Sequence, residues 1–123
     1  MFTGRSKGEE AVLKLLTDAR IFFETEATFH FSKSYRFDFY LPEKNIVLEI
    51  HGRQHREFSK FYHKTEENFK ARQAIDQEKK ELILSNNIKY RSFDYTSQRK
   101  DSIEQMILKV ARYLRIPINS QTS

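Results

Sequence analysis

A three-layer α/β domain, with helices packed on both faces of one mixed sheet, is the fold class this sequence predicts. Three observations carry the prediction. Stretches of helical period open and close the chain, and a third lies between them. Runs rich in Phe, Tyr, Ile and Val fill the intervals and read as strands. One of them, Ile46-Val47-Leu48-Glu49-Ile50-His51, is almost continuously apolar, the pattern of a central strand covered on both faces.

The predicted order is α-β-β-β-α-β-α. Ser6-Lys7-Gly8-Glu9 has the spacing of a capping box, with Ser6 as N-cap and Glu9 three residues on. The helix it opens carries Val12, Leu13, Leu15 and Leu16 on one stripe. Ile21-Phe22-Phe23 leads into a strand at Thr28–Phe31. A second strand, Tyr35–Leu41, alternates, with Phe37, Phe39 and Leu41 on one face and Arg36, Asp38 and Tyr40 on the other. Pro42-Glu43-Lys44-Asn45 is a turn and Ile46–His51 the third strand. Residues 52–68 read as a long polar and aromatic loop. A helix from about Asn68 to Ser85 turns Ala71, Ile75 and Leu82 inward and ends at Asn86-Asn87. Ile88–Phe93 is the fourth strand. The last helix, about Lys100–Leu114, has Ile103, Met106, Ile107, Val110 and Leu114 at helical spacing, and Pro117 stops it. One domain over residues 1–115 followed by a flexible tail at 116–123 is the expected organisation.

Composition narrows the function classes. The 123 residues include no Cys, which excludes disulfides, thiolate zinc sites, iron–sulfur clusters and cysteine nucleophiles. Eleven Phe and six Tyr are too many for a disordered tail. No long apolar run and no signal-peptide core appear, so a cytoplasmic protein with no membrane partner is expected, bacterial or phage-encoded rather than secreted. The 22 Lys and Arg outnumber the 17 Asp and Glu, a balance of +5 that favours an anionic partner such as nucleic acid.

The hairpin between the second and third strands concentrates the chemistry. With its turn centred on Glu43-Lys44, Leu41 faces Ile46, Asp38 faces Glu49, and Arg36 faces His51. Like charges directly opposite each other are destabilising, and a lone carboxylate in the apolar Ile46–Ile50 run is costly to bury. A divalent cation between Asp38 and Glu49 resolves both costs. A bulge that shifts the register, or a buried Glu49–Arg36 ion pair, are the alternatives. Glu49-Ile50-His51-Gly52-Arg53-Gln54-His55-Arg56 then gathers two His and two Arg at the end of the buried strand, where sites in open α/β sheets tend to lie.

Glu9 on the first helix, Asp38 on one strand and Glu49-Ile50-His51 on the next resemble the PD-(D/E)XK nucleases, the superfamily with the restriction-endonuclease-like fold. Phe37-Asp38 stands where the family has Pro-Asp, and His51 fills the Lys slot. The His51-Gly52 step and His55 bring the chain closer to the very-short-patch-repair (Vsr-type) and EDxHD-type endonucleases. Gln73, Asp76 and Lys79 also look like polar helix positions of those relatives. The Vsr-type repair enzymes carry a structural zinc site that a chain without Cys cannot build in its Cys-containing form. Phage-type junction resolvases share the layout of helix acid and strand acid.

The resemblance implies a metal-dependent DNA endonuclease that hydrolyses phosphodiester bonds, with Mg²⁺ or Mn²⁺ held by Asp38, Glu49 and the Ile50 carbonyl. His51 would be the base that orients water, since an ordinary imidazole accepts a proton near neutral pH. His55 would be the acid or a phosphate contact, and Glu9 would hold the water or a second metal. The bland readings stay open: capping explains Glu9 fully, His55 is a solvated loop residue, and Asp76 with Lys80 is an i,i+4 helix pair. Arg36, Arg53, Gln54, Arg56, Lys60 and Lys64 are the candidate DNA contacts. Around them, Phe58, Phe61, Tyr62 and Phe69 either meet bases or fold the loop onto the core. A homodimer or a larger nucleoprotein assembly is the expected setting. A non-catalytic nucleic-acid-binding or assembly subunit on the same fold is the alternative function.

Overall fold

A computed structural model describes residues 6–52, 65–96, 99 and 101–118 of the chain. Its elements are α1 (Lys7–Asp18), β1 (Glu24–Phe29), β2 (Ser32–Leu41), β3 (Ile46–His51), α2 (Glu66–Ser85), β4 (Lys89–Asp94) and α3 (Ser102–Leu114). Among the described residues the sheet has four strands in the order β1-β2-β3-β4. The first three are antiparallel neighbours, and β4 runs parallel to β3. This is an α/β fold with a mixed, open sheet, in the element order the sequence predicts.

Local chemistry starts and stops the helices. The capping box at α1 is complete: the Glu9 N–H donates to Ser6 Oγ at 3.2 Å, and the Ser6 N–H donates to Glu9 Oε1 at 3.1 Å. Thr65 caps α2 through the Asn68 N–H, and Asn87, at φ 64, turns the chain out of it. The last helix ends before Pro117. Arg115 adopts the left-handed conformation at φ 61, and the Ile116 N–H reaches back to the Ala111 carbonyl at 2.8 Å.

Every residue of β3 is buried, as its apolar run predicts. Ile46, Leu48 and Ile50 join Val12 and Leu16 of α1 and Met106, Val110 and Leu114 of α3 in the larger core. Val47 joins Ile83 of α2 in a smaller core on the other face. Each such side chain contributes roughly 1.5–3 kcal/mol on burial, so these two clusters hold the three layers together.

Several expectations need correction. The first strand begins at Glu24 and ends at Phe29, leaving Phe31 in the turn. In α2, Ala71 is exposed and Ile75 is 40% exposed, while Ile83 is the buried residue. The reason is that half-buried positions in the middle of that helix, Asp76 and Lys79, are polar. Lys79 meets Glu49 and Asp76 lines a polar cleft, so an apolar stripe could not reveal its inner face.

The most consequential correction concerns β2. Phe37, Phe39 and Leu41 do not share a face: Phe39 and Leu41 lie in the larger core, Phe37 in the smaller one with Val47 and Ile83. The strand changes faces at Asp38. On the β1 side the register is kept from Glu24–Tyr40 through Thr25–Phe39 to Ala27–Phe37, with Glu26 between the last two at φ 48, and it shifts only between Ala27 and Phe29. On the β3 side, pairing runs from Leu41–Ile46 through Tyr40–Val47 to Phe39–Leu48. Arg36 therefore does not pair with His51. It lies 3.5 Å from Glu26 in an exposed ion pair.

Candidate functional site

The break in β2 is where the acids gather. Beyond Phe39–Leu48, side chains take over the hydrogen bonds between β2 and β3. The Asp38 N–H donates to Glu49 Oε2, and the Ile50 N–H donates to Asp38 Oδ2, both at 2.8 Å. The strands are thus stitched by the two carboxylates the turn arithmetic placed opposite each other. Glu49 is only 2% exposed.

Two like charges this close and this dry cannot both persist, and their surroundings separate them. Burial and then the charge of Glu49 push the Asp38 carboxyl up to about 8, with Glu9 adding to the rise and the Ile50 N–H opposing it. Burial pushes Glu49 in the same direction, but His51, Lys79 and the Asp38 N–H outweigh it and leave Glu49 below its ordinary value. Asp38 is thus biased towards its protonated form and Glu49 towards its charged form.

The cation beside Glu49 comes from α2. Lys79 Nζ is 2.9 Å from Glu49 Oε1, with its side chain 15% exposed, and it also sits 5.0 Å from the centre of the Phe37 ring. Residue 79 thus supplies the ion pair for which the hairpin geometry offered Arg36. It is the residue sequence reasoning left out of the site. The available signal was the resemblance itself, which named Lys79 among polar helix positions but gave it no role beside the acids.

His51 follows Glu49 on the same face of β3, 9% exposed. Its ring lies between two carboxylates, with Nε2 3.9 Å from Glu49 Oε1 and Nδ1 3.9 Å from Asp94 Oδ1. Asp94 is the parallel-strand neighbour of His51. Beside this group opens a polar cleft of about 320 Å³, lined by His51, Gln73, Asp76, Lys80 and Tyr90. Burial, followed by the charges of Glu49, Asp76 and Asp38, holds the Tyr90 hydroxyl well above the usual phenol range, so it remains a hydrogen-bond donor.

Glu9 approaches from the opposite side. It is both the capping-box acid and a hydrogen-bonding neighbour of Asp38, so the two readings of this residue are compatible. Glu9, Glu26, Arg36 and Asp38 line a cavity of about 190 Å³. The structure therefore brings together Glu9, Asp38, Glu49 and His51, with Ile50 engaged through its N–H and Arg36 at the rim. His55, Arg53, Gln54, Arg56, Lys60 and Lys64 lie outside the described residues.

Among the described residues, no group of three or more His, Asp or Glu side chains is spaced to hold a metal ion. Mg²⁺, however, commonly takes only one or two carboxylates from a protein and completes its shell with water and phosphate oxygens. Asp38 and Glu49 are hard oxygen donors and fit that requirement. Holding a cation there requires Asp38 to release its proton and Glu49 to free an oxygen from Lys79 or from the Asp38 N–H.

No helix among the described residues is long and apolar enough to cross a membrane. No family model, curated protein or solved structure matches the chain.

Proposed function

We propose that this protein is a metal-dependent DNA endonuclease of restriction-endonuclease-like fold. The observation that carries the reading is the interlocked Asp38–Glu49 pair, buried between β2 and β3, with each carboxylate accepting a backbone N–H from the other strand. Ordinary backbone pairing would satisfy these N–H groups without the desolvation cost of two opposed buried acids. Asp38 and Glu49 would hold Mg²⁺ or Mn²⁺, with the Ile50 carbonyl as the further donor expected on the same strand. When bound, such a cation supplies Lewis-acid polarisation of a phosphate oxygen.

The remaining roles belong to the chain's own groups. His51 lies beside Glu49 and borders the polar cleft, where its imidazole would take the proton of an attacking water. Lys79 places a positive charge where a scissile phosphate would meet Glu49. Gln73, Lys80 and the Tyr90 hydroxyl offer polar contacts along the adjoining cleft. Nicking and double-strand cleavage are both open to this arrangement.

The test is a Mg²⁺- and Mn²⁺-dependent cleavage assay on plasmid, mismatched and branched DNA. Glu49→Gln is expected to lose about 100-fold or more in rate, the scale of a lost electrostatic contribution at a reacting centre. Wild-type cleavage surviving in this variant refutes the assignment. One observation favours a second reading, a non-catalytic nucleic-acid-binding or assembly subunit: Lys79 already neutralises Glu49. That reading predicts salt-sensitive DNA binding with no cation uptake in calorimetry.

A further inference from the structure

We propose that Tyr95 is a positioning residue whose ring holds the first turn of α1 against the end of the sheet and so fixes where Glu9 meets Asp38. The inference rests on the acid-pair reading above and deepens it, because it names a residue outside the acids that sets their geometry.

Contacts at both ends of Tyr95 carry the proposal. Gly8, in the first turn of α1, sits close against the ring. A Cβ built at Gly8 would collide with Tyr95 Cε1 and stand 2.7 Å from Cδ1, closer than side chains approach one another. Gly8 is thus needed for close approach rather than for an unusual backbone angle. At its other end, the Tyr95 N–H donates to the His51 carbonyl at 3.0 Å. The same residue therefore touches the helix that bears Glu9 and the strand that bears Glu49 and His51.

Between these anchors the geometry is stiff. The capping box fixes Glu9 through Ser6, and the next residue back is Gly8 on the ring. The half-buried ring packs against the larger core, which opposes its swinging away. A side chain at residue 8 must therefore lift α1 instead, and Glu9 moves with it. Displacements of about 1 Å at a reacting centre cost up to 100-fold in rate.

The test uses the full chain, with Mn²⁺ uptake by calorimetry, Mn²⁺-dependent cleavage and circular dichroism on each variant. Gly8→Ala is expected to keep its fold, lower cleavage roughly 10-fold or more, and raise the Mn²⁺ concentration for half-maximal rate while leaving the KM for DNA unchanged. Tyr95→Leu should reproduce the loss, and Gly8→Ala combined with Tyr95→Leu should recover part of it, because the added methyl then has space. Tyr95→Phe keeps the ring and should match the unsubstituted chain. In a Glu9→Gln background, Gly8→Ala should cost nothing further. A Gly8→Ala loss of the same size in both backgrounds, or no loss from either Gly8→Ala or Tyr95→Leu in a chain that cleaves, overturns the positioning role alone. A wild-type chain with neither Mn²⁺ uptake nor cleavage overturns it together with the endonuclease reading.

Discussion

Asp38→Asn should stabilise the metal-free protein while removing its response to metal. An ordinary aspartate titrates at 3.8, whereas Asp38 is pushed up to about 8. A carboxyl raised in the folded state stabilises it fully below the unfolded value, and that contribution is lost as pH rises through the folded one. Between about pH 4 and pH 8 the metal-free chain therefore loses stability through this group. At about 1.4 kcal/mol per tenfold change in proton affinity, the ceiling is ~6 kcal/mol, and partial solvent access reduces the expected loss to about 2–4 kcal/mol. Asparagine keeps an oxygen for the Ile50 N–H and carries no charge at any pH in this range. The assay is thermal unfolding in chelator across this range. Near pH 8 the variant should melt on the order of 10 °C above the wild type, with the gap closing towards pH 4. Added Mn²⁺ should raise the wild-type melting temperature and leave the variant unmoved. A variant that melts below the wild type at pH 8, or that gains as much from Mn²⁺, refutes the reasoning.

Two other perturbations separate the site from the scaffold. Lys79→Met removes one partner of a buried pair and should cost about 3–5 kcal/mol in chelator. Because Lys79 occupies Glu49 Oε1, Mn²⁺ should then raise the melting temperature more than it does in the wild type; an equal or smaller rise means Lys79 does not occupy the cation's place. Arg115→Gly relieves a left-handed residue at the end of α3 and should stabilise by roughly 0.5–1 kcal/mol in urea unfolding, without affecting cleavage. A destabilised variant would show that the Arg115 side chain contributes more than its backbone costs.

The acid pair behind the Asp38 prediction was legible in the sequence because the contacts that create it are local. Turn chemistry at Pro42–Asn45 involves only neighbouring residues, so the pairing of Leu41 with Ile46 and of Phe39 with Leu48 follows from residue numbers alone. The continuous burial of β3 was equally legible, because a strand covered on both faces has no polar alternation. From these two facts, Asp38 and Glu49 had to meet. The capping box at Ser6 and Glu9 is another short-range pattern, and it forms as its spacing predicts.

What failed depended on distant parts of the chain. The inner face of α2 escapes a hydropathy pattern because Lys79 meets Glu49 and Asp76 lines a polar cleft. No hydropathy pattern distinguishes that case from a solvated face.

The sequence by itself determined the order of elements, the hairpin register and the meeting of two acids, since each follows from contacts within a few residues or from a two-residue strand period. Only the tertiary structure decided what those acids are to each other. β2 changes faces at Asp38 beside Glu26, which sits at φ 48, and Glu49 is held below its ordinary value by His51 and by Lys79, the latter delivered from the far layer. Those are effects of burial and of charges brought close by folding. Electrostatic energy depends on distance and on the surrounding dielectric, and neither is a property of position along the chain.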